Sequence, residues 1–216
     1  MKKRLRELLE QNRMDEIADL AEDNRRVMVL LRSLTFDRDP LVGWRAVEAM
    51  GEAAARIGEE DPDAVTEQLR GLYWLLSEES GGICWHGPAA MAEIVRRAPE
   101  QSADYLPITL TLLNEMADED LDHFREKILW GIGRLGPLTR PHLDHVLPAI
   151  EASLDEDDPQ ARGMAVWCLG RVGRAELLAE RTDLLDDDEP VELYENGSLT
   201  RTSVRELAAR ARDQAA

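Results

Sequence analysis

Cations, aromatics, cysteines and long apolar runs are all scarce in this chain. Lysine and arginine together number 26 against 44 acidic residues, which leaves a net charge of −18. A surface that negative is repelled by phosphate backbones unless a basic stripe intervenes. Beyond the opening MKKRLR there is none, so no nucleic-acid partner is expected. No apolar stretch reaches the roughly 20 residues that a membrane-spanning helix needs, so no membrane partner is expected either. The polar ELLEQNR follows the basic start where a signal peptide would have its apolar core. Two cysteines, Cys84 and Cys168, cannot form a disulfide framework and suit a reducing cytoplasm. Aromatic residues make up only 5%, and Ala, Leu, Glu and Arg dominate, which favours helix throughout.

Metal and cofactor signals are equally thin. Cys84 and His86 lie two apart, about 200° around a helix, and cannot easily share one ion. His123, His142 and His145 form no i, i+4 pair. Acidic clusters mark several turns, but a calcium loop needs Gly at its sixth position and Glu at its twelfth. Counting from Asp118, those positions hold His123 and Leu129, so the clusters read as helix caps and a solvated edge. Gly131-Ile132-Gly133-Arg134-Leu135-Gly136 fits GxGxxG, yet dinucleotide binding needs a strand before it and a helix after it. Here the run lies inside a helical pattern. No metal and no cofactor are expected.

What is present is a recurring helix. Asp158 to Gly173 reads DPQARGMAVWCLGRVG. Asp158 can cap a helix, Pro159 suits its first position, and Gly173 suits its end. Ala161, Ala165, Cys168, Leu169 and Val172 form one apolar stripe. Related patterns run from Asp39 (DPLVGWRAVEAMGEA), from Gly81 (GICWHGPAAMAEIV) and from Asp122 to Gly136. Aligning Gly51, Ala92, Gly133 and Gly170 gives steps of 41, 41 and 37 residues. A helix pair repeated at about 40 residues is the mark of a stacked solenoid.

These residues, Asp39-Pro40, Val42, Ala46, Ala49, Met50 and Gly51, with Asp158-Pro159, Arg162, Ala165, Leu169, Gly170, Val172 and Gly173, resemble the HEAT family. The nearest likeness is to the short HEAT-like units of phycobilin lyases. LYWLLSEESGGICWH and LWGIGRL also resemble an uncharacterised family of small bacterial HEAT-repeat proteins. The resemblance implies an all-α fold: a right-handed α-solenoid of about four helix pairs. It implies a fold and no particular activity. One domain, residues 1–216, is expected. It divides into an N-terminal helical cap over 1–23, repeats at 24–58, 61–98, 102–136 and 140–173, and a C-terminal cap over 174–216. Within that cap, Asn196-Gly197 between alternating residues predicts a β-hairpin near 190–202. Ser203 then caps a last helix. Pro88 is expected to bend its helix, and Pro107 and Pro148, 41 residues apart, to bend theirs.

The tryptophans supply the candidate site. Trp44 and Trp85 share one repeat position; Trp130 and Trp167 share another, four residues further on. At about 100° per residue both lie on one face, roughly opposite the apolar stripe. With Arg45, His86, Arg134 and Arg171 they would line a concave groove that binds another protein or a peptide segment, since Trp and Arg are enriched at binding hot spots. The competing reading lays the rings flat over Gly51, Ala92, Gly133 and Gly170 to seal helix seams. A non-enzymatic scaffold is the leading expectation. A DNA glycosylase-type solenoid enzyme and a tetrapyrrole lyase or chaperone are the alternatives.

Overall fold

The structure, a computed structural model, describes residues 1–76, 85–118 and 122–215. The SEESGG turn, Cys84 and the centre of the acidic cluster that begins at Ala117 lie outside the described residues. The protein is mostly helical, with a small two-stranded antiparallel sheet near its C-terminus. No helix among the described residues is long and apolar enough to cross a membrane. The chain contacts group into two compact units, one of residues 1–105 with Tyr194–Leu199, the other of 106–193 with 200–216.

The first unit opens with three short helices, α1 (Lys2–Glu10), α2 (Met14–Asp23) and α3 (Arg26–Leu34). Leu5, Leu8 and Leu9, then Ile17, Ala18 and Ala21, then Val27, Met28, Leu31 and Leu34 are their buried stripes. Asn12 ends α1 at φ 57°. Asn12 N–H then reaches the Leu9 carbonyl, and Arg13 N–H reaches that of Leu8, so the turn satisfies two acceptors of the helix end. Next comes α4 (Pro40–Gly58), against which α1, α2 and α3 all pack. Asp39 caps it by accepting from Leu41 N–H at 3.0 Å, with Pro40 in the first turn. Twelve of its residues are buried, including Val42, Ala46, Met50 and Ile57. At about 1.5–3 kcal/mol for each large apolar chain, this helix is the centre of the unit's core.

Two further helices, α5 (Pro62–Leu76) and α6 (Gly87–Arg97), complete the unit. Asp61 starts α5, its carboxylate accepting from Ala64 N–H at 3.2 Å. A Cβ on Gly51 would stand 2.8 Å from the Glu93 carbonyl oxygen, so only glycine lets α4 meet α6 this closely. Pro88 does not bend a longer helix. It stands in the first turn of α6, where its missing N–H has no partner to lose.

The second unit holds α7 (Tyr105–Asp118, from Leu106 onward), α8 (Arg125–Leu135), α9 (Leu143–Ala152) and α10 (Pro159–Arg171). Pro107 falls in the first turn of α7, another place where proline costs no bond, so it breaks no helix; Pro148 does lie inside α9. α10 is the unit's centre, packed on α8, α9 and the final helix. Asp158 caps it through Gln160 N–H at 3.0 Å. Gly173, at φ 76°, ends it. There Arg174 N–H reaches back to the Leu169 carbonyl at 2.8 Å and Gly173 N–H to that of Gly170.

The hairpin pairs β1 (Pro190–Glu195) with β2 (Ser198–Ser203), and α11 (Val204–Ala215) follows. Asn196 and Gly197 make the turn at φ 52° and 73°, both left-handed, as a two-residue hairpin demands. Ser203 Oγ accepts from Glu206 N–H while the Glu206 carboxylate accepts from Ser203 N–H, a reciprocal box that starts α11. In the second unit Val191 presses on α10, its Cγ2 2.5 Å from where a Gly163 Cβ would stand.

Candidate functional site

Three of the four tryptophans are buried. Trp44 is 8% exposed, Trp130 1% and Trp167 5%; only Trp85 stays open at 46%. An open groove floored by four indole rings is therefore not what the helices build. The physical reason differs between the two units.

In the second unit, Trp167 reaches from α10 onto α8. A Cβ on Gly133 would fall 2.7 Å from its Cε3. The ring thus seals the α8–α10 seam, the expected alternative to a groove at this position. Its outer face is covered by Arg171, whose Cζ lies 5.9 Å from the ring centroid. Trp130 on α8 carries Arg134 in the same way at 5.3 Å. Both pairs join residues four apart, which stand one above the other on a helix. Each guanidinium sits within the range of a cation–π contact. Each of these two helices thus carries an arginine over a tryptophan ring, Arg171 exposed and Arg134 partly buried.

In the first unit, Trp44 is covered by the chain's own hairpin tip. Tyr194 stacks on it at 5.5 Å with the ring planes 5° apart, and the His86 ring meets it edge-on at 5.1 Å. The Tyr194 hydroxyl donates to Glu48, one turn beyond Trp44 on α4, at 2.5 Å. Arg45 faces no solvent groove. Its Nε donates to the Gly197 carbonyl at 2.9 Å, and its Nη1 to the carbonyls of Leu9 and Glu10 at 2.9 and 2.8 Å. The last two are terminal acceptors of α1, where a cation is favoured. Arg45 therefore binds backbone, and the backbone it binds is intramolecular. His86 stands at the start of α6, and Trp85 in the turn before it.

The sequence reading missed Tyr194. Its one signal was its place beside Asn196-Gly197: the inward Val191 and Leu193 alternate, and Tyr194 adds a third buried side chain at the tip.

Beside this cluster lie three carboxylates. Glu93 is fully buried and paired with Arg96, Oε2 to Nη2 at 2.6 Å. Glu52 is paired with Arg97. Burial pushes the Glu52 carboxyl above its ordinary value, Arg97 and Arg96 pull it back, and the charges of Glu48 and Glu93 add to the rise. Each carboxylate already has a protein partner: Glu52–Arg97 ties α4 to α6, Glu93–Arg96 lies within α6, and Glu48 accepts from Tyr194, which suits structural roles more than proton transfer. Among the described residues no group of three His, Cys, Asp or Glu side chains is placed to hold a metal ion. Cys168 lies wholly inside the core, where burial pushes its thiol far up and leaves it inert.

No protein-family model matches the chain. An uncharacterised protein of Archaeoglobus fulgidus is similar to it, 26% identical over 180 residues. That stretch covers 82% of this chain and 91% of the archaeal protein, so the likeness takes in both units and is not confined to one helix pair.

Proposed function

We propose that the chain is an α-solenoid of HEAT-like helix pairs that serves as a non-enzymatic scaffold. In this reading it holds an extended segment of another protein along its second helices. The repeat reading draws support from the Asp-Pro caps of α4 and α10, which make the same bond in both units. It is also supported by the glycines that admit close neighbours, Gly51 against α6 and Gly133 against α10.

The observation that carries the binding reading is the matched pair of arginine-on-tryptophan stacks, Arg134 on Trp130 and Arg171 on Trp167. Contact with the rings restrains the arginine side chains, which reduces the ordering cost of binding. Arginine fits carboxylates in a two-pronged geometry. Packed helices lie roughly 8–10 Å apart, and side chains on one face of an extended chain recur every second residue, about 6.6 Å apart. A segment with acidic side chains at i and i+2 would present both to the two long arginine side chains. Among the described residues no arrangement singles out base excision or tetrapyrrole chemistry.

Truncating the tryptophans is a poor test, because Trp130 and Trp167 belong to the core. The better variant is Arg134→Glu with Arg171→Glu, used as bait in native cytosol beside the unaltered protein. Near-ultraviolet circular dichroism should show the same packing in both. A specifically retained protein should be lost with the variant, and an acidic peptide of that spacing should lose binding to it. An unchanged set of retained proteins ends the proposal.

A further inference from the structure

Away from the tryptophans, the first unit holds a cleft of about 190 Å³ between the start of α3, the end of α4 and the first turns of α5. Its floor is apolar and buried: Met28, Ile57 and Val65, with Ala54 beside them. The room exists because Ala54 and Ala64 are small where larger side chains would close the gap. Its rim is charged, with Arg25 and Asp61 facing each other at 3.4 Å and Glu67 beyond them. Both partners of that ion pair are nearly half exposed, so it holds the mouth only weakly.

Size excludes most small-molecule ligands. Cofactor and metabolite pockets run to about 300–1,000 Å³. A cavity near 150 Å³ takes a single benzene ring, so this one accommodates one ring or one branched aliphatic group. Charge narrows the choice further. The run Glu59 to Glu67 carries five acids and no cation, and the one cation on the rim, Arg25, already faces Asp61. Such a rim repels an anionic aromatic and gives nothing to a plain hydrocarbon. It favours an apolar group that arrives with positive charge around it.

We infer that this cleft docks a bulky apolar side chain, phenylalanine or leucine, presented by a lysine- or arginine-rich segment of a partner protein. The ring fills the apolar floor and is withdrawn from water, in the manner of an interface anchor. The flanking cations meet Asp61 and Glu67 and steer the encounter. This site shares no residue with the arginine-on-tryptophan stacks, and it stands or falls without them.

The probe is a fluorescein-labelled octapeptide with one central phenylalanine among lysines and glycines, titrated with the full chain by anisotropy. Binding is expected. Replacing the phenylalanine by alanine, or every lysine by glutamate, should weaken it by at least about tenfold. On the protein, Ala64→Phe fills the cleft from a partly buried position and should weaken it equally. Glu67→Lys, at an exposed position that leaves the core untouched, should also weaken it, and this keeps the test decisive if Ala64→Phe fails to fold. Amide resonances of Met28, Ile57 and Val65 should move on titration. Absence of binding, equal binding of the alanine peptide, or undiminished binding by Glu67→Lys overturns the inference.

Discussion

At Gly133 a hydrogen atom stands where any other residue would press carbon against the Trp167 ring. The ring itself is wedged between two helices and has little room to retreat. Gly133→Ala should therefore cost about 1–3 kcal/mol by overpacking. Gly71, in α5, is the control, since a Cβ there meets nothing within 4 Å. Gly71→Ala should stabilise by about 0.5–1 kcal/mol, the ordinary gain of alanine over glycine inside a helix. Urea midpoints of the two variants should shift in opposite directions. Glu52 gives a second residue-level expectation. Burial raises its carboxyl above the ordinary 4.5. Between the ordinary and the raised value the folded state keeps a proton that the unfolded chain has lost, so stability falls as pH rises through that window. Glu52→Gln removes this slope. The stability difference between the original and the variant should change as pH climbs from 4.5 and then level off; a difference independent of pH would refute it.

Elements with a chemical punctuation mark were legible from the residues alone. Asp39-Pro40 and Asp158-Pro159 start helices, Gly173 stops one, Asn196-Gly197 turns a hairpin and Ser203 starts the last helix, each by a local hydrogen bond or a local φ. Pro88 was misread because a proline in an apolar run looks like a kink until the start of its helix is known. The fate of the tryptophans was legible only as a choice between groove and seam, for a different reason. Periodicity says which face a ring is on and not what covers that face. Trp44 is covered by Tyr194, 150 positions later, and Trp167 by a glycine notch on another helix. The hairpin tip, Tyr194–Leu199, is accordingly a structural part of the α4 face. Tyr194→Phe loses only the bond to Glu48 and should cost about 1 kcal/mol. Tyr194→Ala also empties the stack on Trp44 and should cost about 3–5 kcal/mol. Equal costs for the two would mean that the stack contributes nothing.

On the scale of the whole molecule the net charge of −18 matters most. Self-repulsion of that size opposes compaction. Salt screens it, and screens surface ion pairs such as Arg56 with Asp19 and Glu22 too, but exposed pairs contribute little to begin with. Raising sodium chloride from about 0.05 M to about 0.5 M, which shortens the screening length severalfold, should therefore raise the melting temperature; a fall would show that the ion pairs outweigh the repulsion. Residues Tyr194–Leu199 belong with the unit of residues 1–105. A ribosome delivers the N-terminus first, so α1 to α6 emerge long before the tyrosine that shields Trp44 and the carbonyl that engages Arg45. Until synthesis is almost finished, the nascent N-terminal half carries a Trp44 ring without its Tyr194 cover and an Arg45 that keeps its bonds to α1 but lacks the one to Gly197. Premature termination anywhere between residues 105 and 194 leaves that wound open, and such fragments are natural clients for chaperones and proteases.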